Sequence, residues 1–272
     1  MGGQGEERRP IGVMDSGVGG LSVVRELQRR LPQEELLYFG DNANCPYGNR
    51  SEEEILELTH GMLRRMEAAN VKLVVVACNT ISSLIGRYAG MYPFPIVGII
   101  EPVARQMVQV GVKRLGLFAT AFTVSSGCYQ RMVRELDPEA EVIAISSKEL
   151  AALVDSGKYE GAEVEAEVEH LLRTMEETCG GSGLPRQIIL GCTHYSIVEA
   201  IFREKAPAGT EFVDPAVAQV ETVRRLLNSR SALASRHTAH GRLRIQTSGD
   251  PAVYGPMIRH LGLRAEQEQA VR

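Results

Sequence analysis

Short apolar runs alternate with amphipathic stretches along almost the whole chain. IGVM (11–14), LLYFG (36–40) and VKLVVVAC (71–78) are bulky or β-branched runs of strand length. Between them, LSVVRELQRRL (21–31) places apolar residues at three- and four-residue spacing, the period of a helix with one buried face. SEEEILELTHGMLRRMEAAN (51–70) opens with Ser51 and Glu54, the signature of a capping box, and ends in Asn70. RLGLF (114–118), EVIAI (141–145), QIIL (187–190) and EFVD (211–214) continue the pattern, separated by helical segments. Alternation of this kind predicts an α/β fold of mostly parallel strands flanked by helices. Ligands in such folds sit at the carboxyl ends of the strands.

The pattern also repeats. VVVACNTISS (74–83) runs parallel in sequence to IILGCTHYSI (188–197), and IGVMDSG (11–17) to LGLFATA (115–121), in the same order. This predicts two similar α/β domains with a cleft between them, one formed by 1–99 plus a returning 212–272, the other by 100–211. Each half carries a cysteine at a strand end, Cys78 or Cys192. Two thiols facing one ligand suit the inversion of a stereocentre. One takes a proton from one face of a carbon and the other delivers a proton to the opposite face. The thiolate is the reactive form and is favoured near helix N-termini, where a carboxylate is also welcome. Asn79-Thr80 and Thr193-His194, which follow the two cysteines, are suited to helix starts.

DSGVGG (15–20) follows a strand and opens a helix, so its glycines allow close backbone approach to an anion. It is not the dinucleotide fingerprint, because Ser22 stands at the last glycine position, and no lysine follows as in a P-loop. Asp15 at the strand end and His194 beside Cys192 are placed to orient or deprotonate the thiols. The loop CPYG (45–48) offers amides to an anion.

Composition narrows the classes. The chain has 272 residues, 44% hydrophobic and 24% charged, enough for one large or two medium domains with a substantial core. With a net charge of -4 and no Arg-rich or aromatic-interleaved stripe, nothing points to a nucleic-acid partner, and none is expected. No apolar run reaches the roughly 18 residues of a membrane span. The polar start, MGGQGEERRP, lacks the apolar centre of a secretory signal. Five scattered cysteines (Cys45, Cys78, Cys128, Cys179, Cys192) fit a reducing cytoplasm rather than a disulfide scaffold. Cys45, Cys128 and Cys179 read as structural or incidental. His60, His170, His237, His240 and His260 read as surface residues. The polar 229–240 stretch reads as a flexible connection, and AEQEQAVR at the C-terminus as disordered.

With these residues in view, the chain resembles the glutamate racemases of the cofactor-independent aspartate/glutamate racemase superfamily. The matching motifs are DSGVGG, GD-x-A-x-x-PYG-x-RS (40–51), ACNT (77–80), GCTHY (191–195), DPA (214–216) and TSGDP (247–251). They follow the family order over nearly the whole chain. The resemblance implies Cys78 and Cys192 as the two acid/bases, assisted by Asp15 and His194. It implies a substrate site of Asp15, Ser16, Pro46, Tyr47, Gly48, Asn79, Thr80, Thr193 and His194, with Thr123 in the loop after LGLFAT. It implies glutamate as substrate, no cofactor and no metal, and a cytoplasmic homodimer that supplies D-glutamate for peptidoglycan. The chain departs from the family at NANC (42–45), at Ile81 after ACNT, at Ser196 after GCTHY and at SSKELAALVD (146–155). In that last stretch Asp155 stands where a glutamate linked to acid/base assistance is common.

Other readings exist for the same residues. A buried cysteine is often only a small core residue. Cys-x-His suggests zinc, but no second metal-spaced pair accompanies it. Asp15 has a lesser reading as a helix cap, and His194 one as a packed, hydrogen-bonded histidine. At the level of function, the alternatives are a racemase of aspartate or another acidic amino acid, a single-thiol lyase or decarboxylase, and a binding protein.

Overall fold

A computed structural model of the chain describes residues 7–234, 240–266 and 269–270. His237 and the ends 1–6, 267–268 and 271–272 lie outside the described residues. In chain order the first half contains β1 (Ile11–Asp15), α1 (Leu21–Arg30), β2 (Leu36–Gly40), α2 (Glu52–Ala68), β3 (Leu73–Val76), α3 (Asn79–Ser82), β4 (Ile96–Gly98) and α4 (Ile100–Gln109). There follow β5 (Arg114–Ala119), α5 (Ala121–Ser125), α6 (Cys128–Leu136), β6 (Glu141–Ser146), α7 (Leu150–Asp155), α8 (Ala162–Thr178), β7 (Gln187–Gly191), α9 (Glu199–Lys205) and β8 (Glu211–Val213). The chain ends with α10 (Pro215–Ser229), β9 (Leu243–Thr247), α11 (Tyr254–Leu261) and β10 (Gln269–Ala270).

Two parallel sheets form, in the orders β10-β9-β2-β1-β3-β4 and β6-β5-β7-β8. The sequence repeat is thus a repeat of topology. β1 lies between β2 and β3, with Ile11 opposite both Leu36 and Leu73. β5 lies between β6 and β7 in the same way, with Leu115 opposite both Val142 and Gln187. The second sheet ends with β8, a strand that spans the 211/212 division before α10 returns the chain to the first half. The chain therefore passes between the sheets twice, through α4 and through α10.

The middles of the central strands are apolar because both faces are covered, and alternate side chains point to opposite layers. Val74 and Val76 of β3 pack with Ile55, Met62, Leu63 and Met66 of α2. Leu73 and Val75 pack in the other layer with Leu21, Val24 and Leu27 of α1 and Val220 and Val223 of α10. Burial of each such side chain contributes about 1.5–3 kcal/mol. α2 starts with the expected capping box, Ser51 accepting from the Glu54 amide at 3.3 Å and Glu54 accepting from the Ser51 amide at 2.9 Å. α1 ends with Arg29 and Arg30 in its last turn, where cations complement the helix dipole.

At the amino ends of the strands sits a buried ion pair. The Lys72 ammonium, fully shielded from solvent, bonds the Glu34 carboxylate and donates to the carbonyls of Glu7 at 3.0 Å and Ala232 at 2.9 Å. Glu34 also accepts from the Ala234 amide at 2.8 Å. These bonds tie down 232–234, part of the stretch expected to be a loose connection. Gln269–Ala270 of the C-terminus, expected to be disordered, pair with β9 because that edge strand offers its free backbone groups. No helix among the described residues is long and apolar enough to cross a membrane.

Candidate active site

β3 and β7 occupy matching places in their sheets, so the turns after them fall at matching carboxyl ends. Cys78 caps α3 with extended backbone, and the Ser82 amide bonds its carbonyl at 2.9 Å. After β7, the Tyr195 amide bonds the Cys192 carbonyl at 2.9 Å and starts a 3-10 turn. Both thiols reach one inner chamber of about 30 Å³ between the halves. All five cysteines are free thiols.

The two sulfurs have different company. Ser16 Oγ lies 3.5 Å from Cys78 Sγ. Burial, and next the charge of Asp15, push the Cys78 thiol up to about 12, against the opposing hydrogen bonds of Ser16 and the Ile81 amide. On the other side, His194 Nδ1 lies 3.5 Å from Cys192 Sγ, and His194 Nε2 lies 2.8 Å from Asp155 Oδ1. Burial opposes charge on the imidazole, but the Asp155 carboxylate outweighs it and raises His194 well above its ordinary value. Asp155 feels the reverse: burial raises it, and His194 more than compensates, so its carboxyl lies below the usual range. The Cys45 thiol, pushed up by burial and by Asp155, donates to Asp155 Oδ2 at 3.7 Å.

Of the residues expected at the site, Ser16, Pro46, Tyr47, Gly48, Asn79, Thr80, Thr193 and His194 line the chamber with the two cysteines. Asn79 accepts from the Tyr129 hydroxyl at 2.7 Å, which leaves its buried Nδ2 as an unused donor. Tyr47 is fixed by donating to Asp41 at 2.5 Å. Two expected residues stand behind the wall. Asp15 is fully buried, accepting from the Gly17 amide at 3.0 Å and from Thr193 Oγ1 at 3.4 Å. Burial raises its carboxyl above the usual range, although the charge of His194 and the Gly17 amide oppose this. Thr123 accepts from Thr120 at 3.0 Å and does not line the chamber.

The glycine-rich turn has a physical task beyond tightness. A side chain at Gly19 would come within 2.5 Å of Thr193 Oγ1 and 2.7 Å of the His194 ring. Glycine there lets the first half touch the second beside Cys192. Thr80 and Thr120 also meet across the cleft, oxygen to oxygen, at 3.0 Å.

Asp155, Cys45, Thr120 and Tyr129 join the site without having been assigned a place in it. Thr120 carries a sequence signal, since the repeat aligns it with Ser16. Asp155 carries a signal through the resemblance alone, standing where a glutamate linked to acid/base assistance is common. Cys45 and Tyr129 have no local signal.

Outside the inner chamber lies a second one of about 420 Å³. The two share the walls formed by Cys45, Pro46, Gly48, Thr120, Ala151 and Asp155. A cavity of about 470 Å³ near Arg105, Arg131 and Arg225 is larger, but neither Cys78 nor Cys192 lines it. Among the described residues, no group of three or more His, Cys, Asp or Glu side chains is arranged to hold a metal ion. The chemistry available in the inner chamber is proton transfer, with two thiols, an imidazole–carboxylate pair and several hydrogen-bond donors.

Comparison with known proteins gives concordant results. The Asp/Glu/Hydantoin racemase family model matches residues 11–223. A glutamate racemase of Gloeothece citriformis is 36% identical over 258 residues, covering 93% of this chain and 88% of that one. The crystal structure of a glutamate racemase isoform from Bacillus anthracis superposes with a TM-score of 0.89 at 29% identity, covering 98% of each chain. That of glutamate racemase from Francisella tularensis in complex with D-glutamate gives 0.87 at 25% identity, again over 98% of each.

Proposed function

This chain belongs to the Asp/Glu/Hydantoin racemase family, and on that premise we propose that it interconverts L- and D-glutamate, with Cys78 and Cys192 as acid and base on opposite faces of the α-carbon. The observation that carries this reading is the single chamber lined by both thiols. The likeness to glutamate racemases supports the choice of substrate.

In each direction one cysteine acts as thiolate. Its sulfur takes the α-proton, and the electron pair left on carbon is delocalised into the α-carboxyl group. The opposite thiol then gives its own proton to the other face of the carbon. Substrate and product differ only in configuration, and the cysteines have exchanged protonation states. No cofactor takes part in this scheme. Asn79 Nδ2, Ser16, Thr80 and Thr193 hold the substrate's polar groups, and a closed cleft strengthens these contacts by excluding water. The same reading makes the protein a cytoplasmic homodimer that supplies D-glutamate to peptidoglycan synthesis.

Incubation with L-glutamate in D₂O is expected to yield D-glutamate bearing deuterium at the α-carbon, read by chiral chromatography and mass spectrometry. Absence of both conversion and α-deuterium would overturn the proposal. Faster turnover of aspartate than of glutamate would make the protein a sister racemase.

The His194–Asp155 pair gives a pH prediction. With its value raised, His194 keeps its proton beyond the ordinary imidazole value of about 6.5. The attraction is therefore fully present below that pH and is lost as pH rises through the raised folded value. Asp155→Asn removes the counter-charge. We expect kcat to fall about 10- to 100-fold and the alkaline limb of the pH–rate profile to move to lower pH. An unmoved limb would show that this pair does not set it.

A further inference from the structure

We propose that Lys148 captures the acidic substrate at the mouth of the cleft, in the outer chamber, before it reaches the thiols. The inference rests on the glutamate reading above. The inner chamber has room for roughly two waters, whereas the outer one, sharing a wall with it, has about 420 Å³. An entering amino acid therefore meets the outer chamber first.

Among the described residues lining these two chambers, Lys148 is the sole lysine or arginine. It is exposed and makes no ion pair among the described residues. The carboxylate on the same wall, Asp155, is already engaged by His194. The charge of Lys148 is thus uncompensated where a substrate with two carboxylates must pass.

Its position is also fixed at the root. Ser147 Oγ accepts the amides of Glu149 at 3.1 Å and Leu150 at 2.9 Å, and donates to Glu167 at 2.7 Å. This buried cap holds the backbone on both sides of Lys148 against the chamber wall. The ammonium on its flexible stem then acts as a point charge, suited to holding a carboxylate without exact geometry.

An exposed charge pair has a modest effect, and salt screens it. Lys148→Gln is expected to raise KM for glutamate about 3- to 5-fold at low ionic strength, with kcat within about two-fold of the parent. Lys148→Glu is expected to raise it about 10-fold, since attraction becomes repulsion. Lys148→Arg retains the parent KM. These differences collapse at about 0.5 M salt. Lys113→Gln, an exposed lysine outside both chambers, is the control for net charge and leaves KM unchanged. A parent-like KM in Lys148→Gln, a rise that persists at high salt, or an equal rise in Lys113→Gln would each overturn the inference while leaving the racemase reading intact. Failure of the unaltered protein to turn over glutamate would remove both.

Discussion

Cys78→Ala and Cys192→Ala are each expected to lose glutamate racemisation by about 10³- to 10⁴-fold, in both directions. On the proposed two-thiol scheme, each complete inversion needs one sulfur to remove a proton and the other to return one. Loss of either leaves half a reaction. Both sites are buried and an alanine fills most of the space, so folding should survive; circular dichroism and a melting curve check that. The decisive measurement is initial rate from L- and from D-glutamate for both variants. Loss in only one variant would mean that the thiols do not share the work as a pair. A retained slow exchange of α-deuterium for only one enantiomer fits the surviving sulfur working on its own face.

Lys72→Ala is expected to cost about 3–5 kcal/mol of folding stability, because it leaves the Glu34 carboxylate buried and unpaired. It also strips a donor from the Glu7 and Ala232 carbonyls. Replacing both partners with apolar residues of similar volume, as in Lys72→Met with Glu34→Leu, should recover a large part of that loss. Urea unfolding of the two variants beside the parent reads this directly. A single variant as stable as the parent would show that water or a neighbouring group takes over from Lys72. Lys72 stands at the opposite ends of the strands from Cys78 and Cys192, so activity per folded molecule should be unaffected.

Local pattern revealed the parts of the site that are local. Cys78 and Cys192 were visible because a buried strand running into Cys and cap residues is readable within ten positions. Their pairing was visible because the chain carries the pattern twice. The repeat also predicts a match between Ser16 and Thr120, and the structure brings both to the chamber with different partners: Ser16 meets Cys78 in its own half, while Thr120 meets Thr80 across the cleft. Asp155 was harder. Its contact with His194 joins residues on separate elements, α7 and the turn after β7, and only the packing of α7 against that turn brings them together. Cys45 and Tyr129 are similar, since a thiol beside a proline and a tyrosine on an amphipathic helix have no signature of their own. Thr123 is the opposite case. A loop position suggested contact with substrate, but the short turn of α5 directs it behind Thr120.

The size of the inner chamber has a consequence for how the protein works over time. Space for roughly two waters cannot admit an amino acid, so on the racemase reading each cycle begins and ends with the halves parted. The two crossings, α4 and α10, pack side by side, and on that reading the halves swing about them. Such a swing must break the Thr80–Thr120 and Cys45–Asp155 contacts and then restore them. Turnover is then paced by opening as well as by proton transfer, and a more viscous solvent should slow it even though no bond-making step has changed.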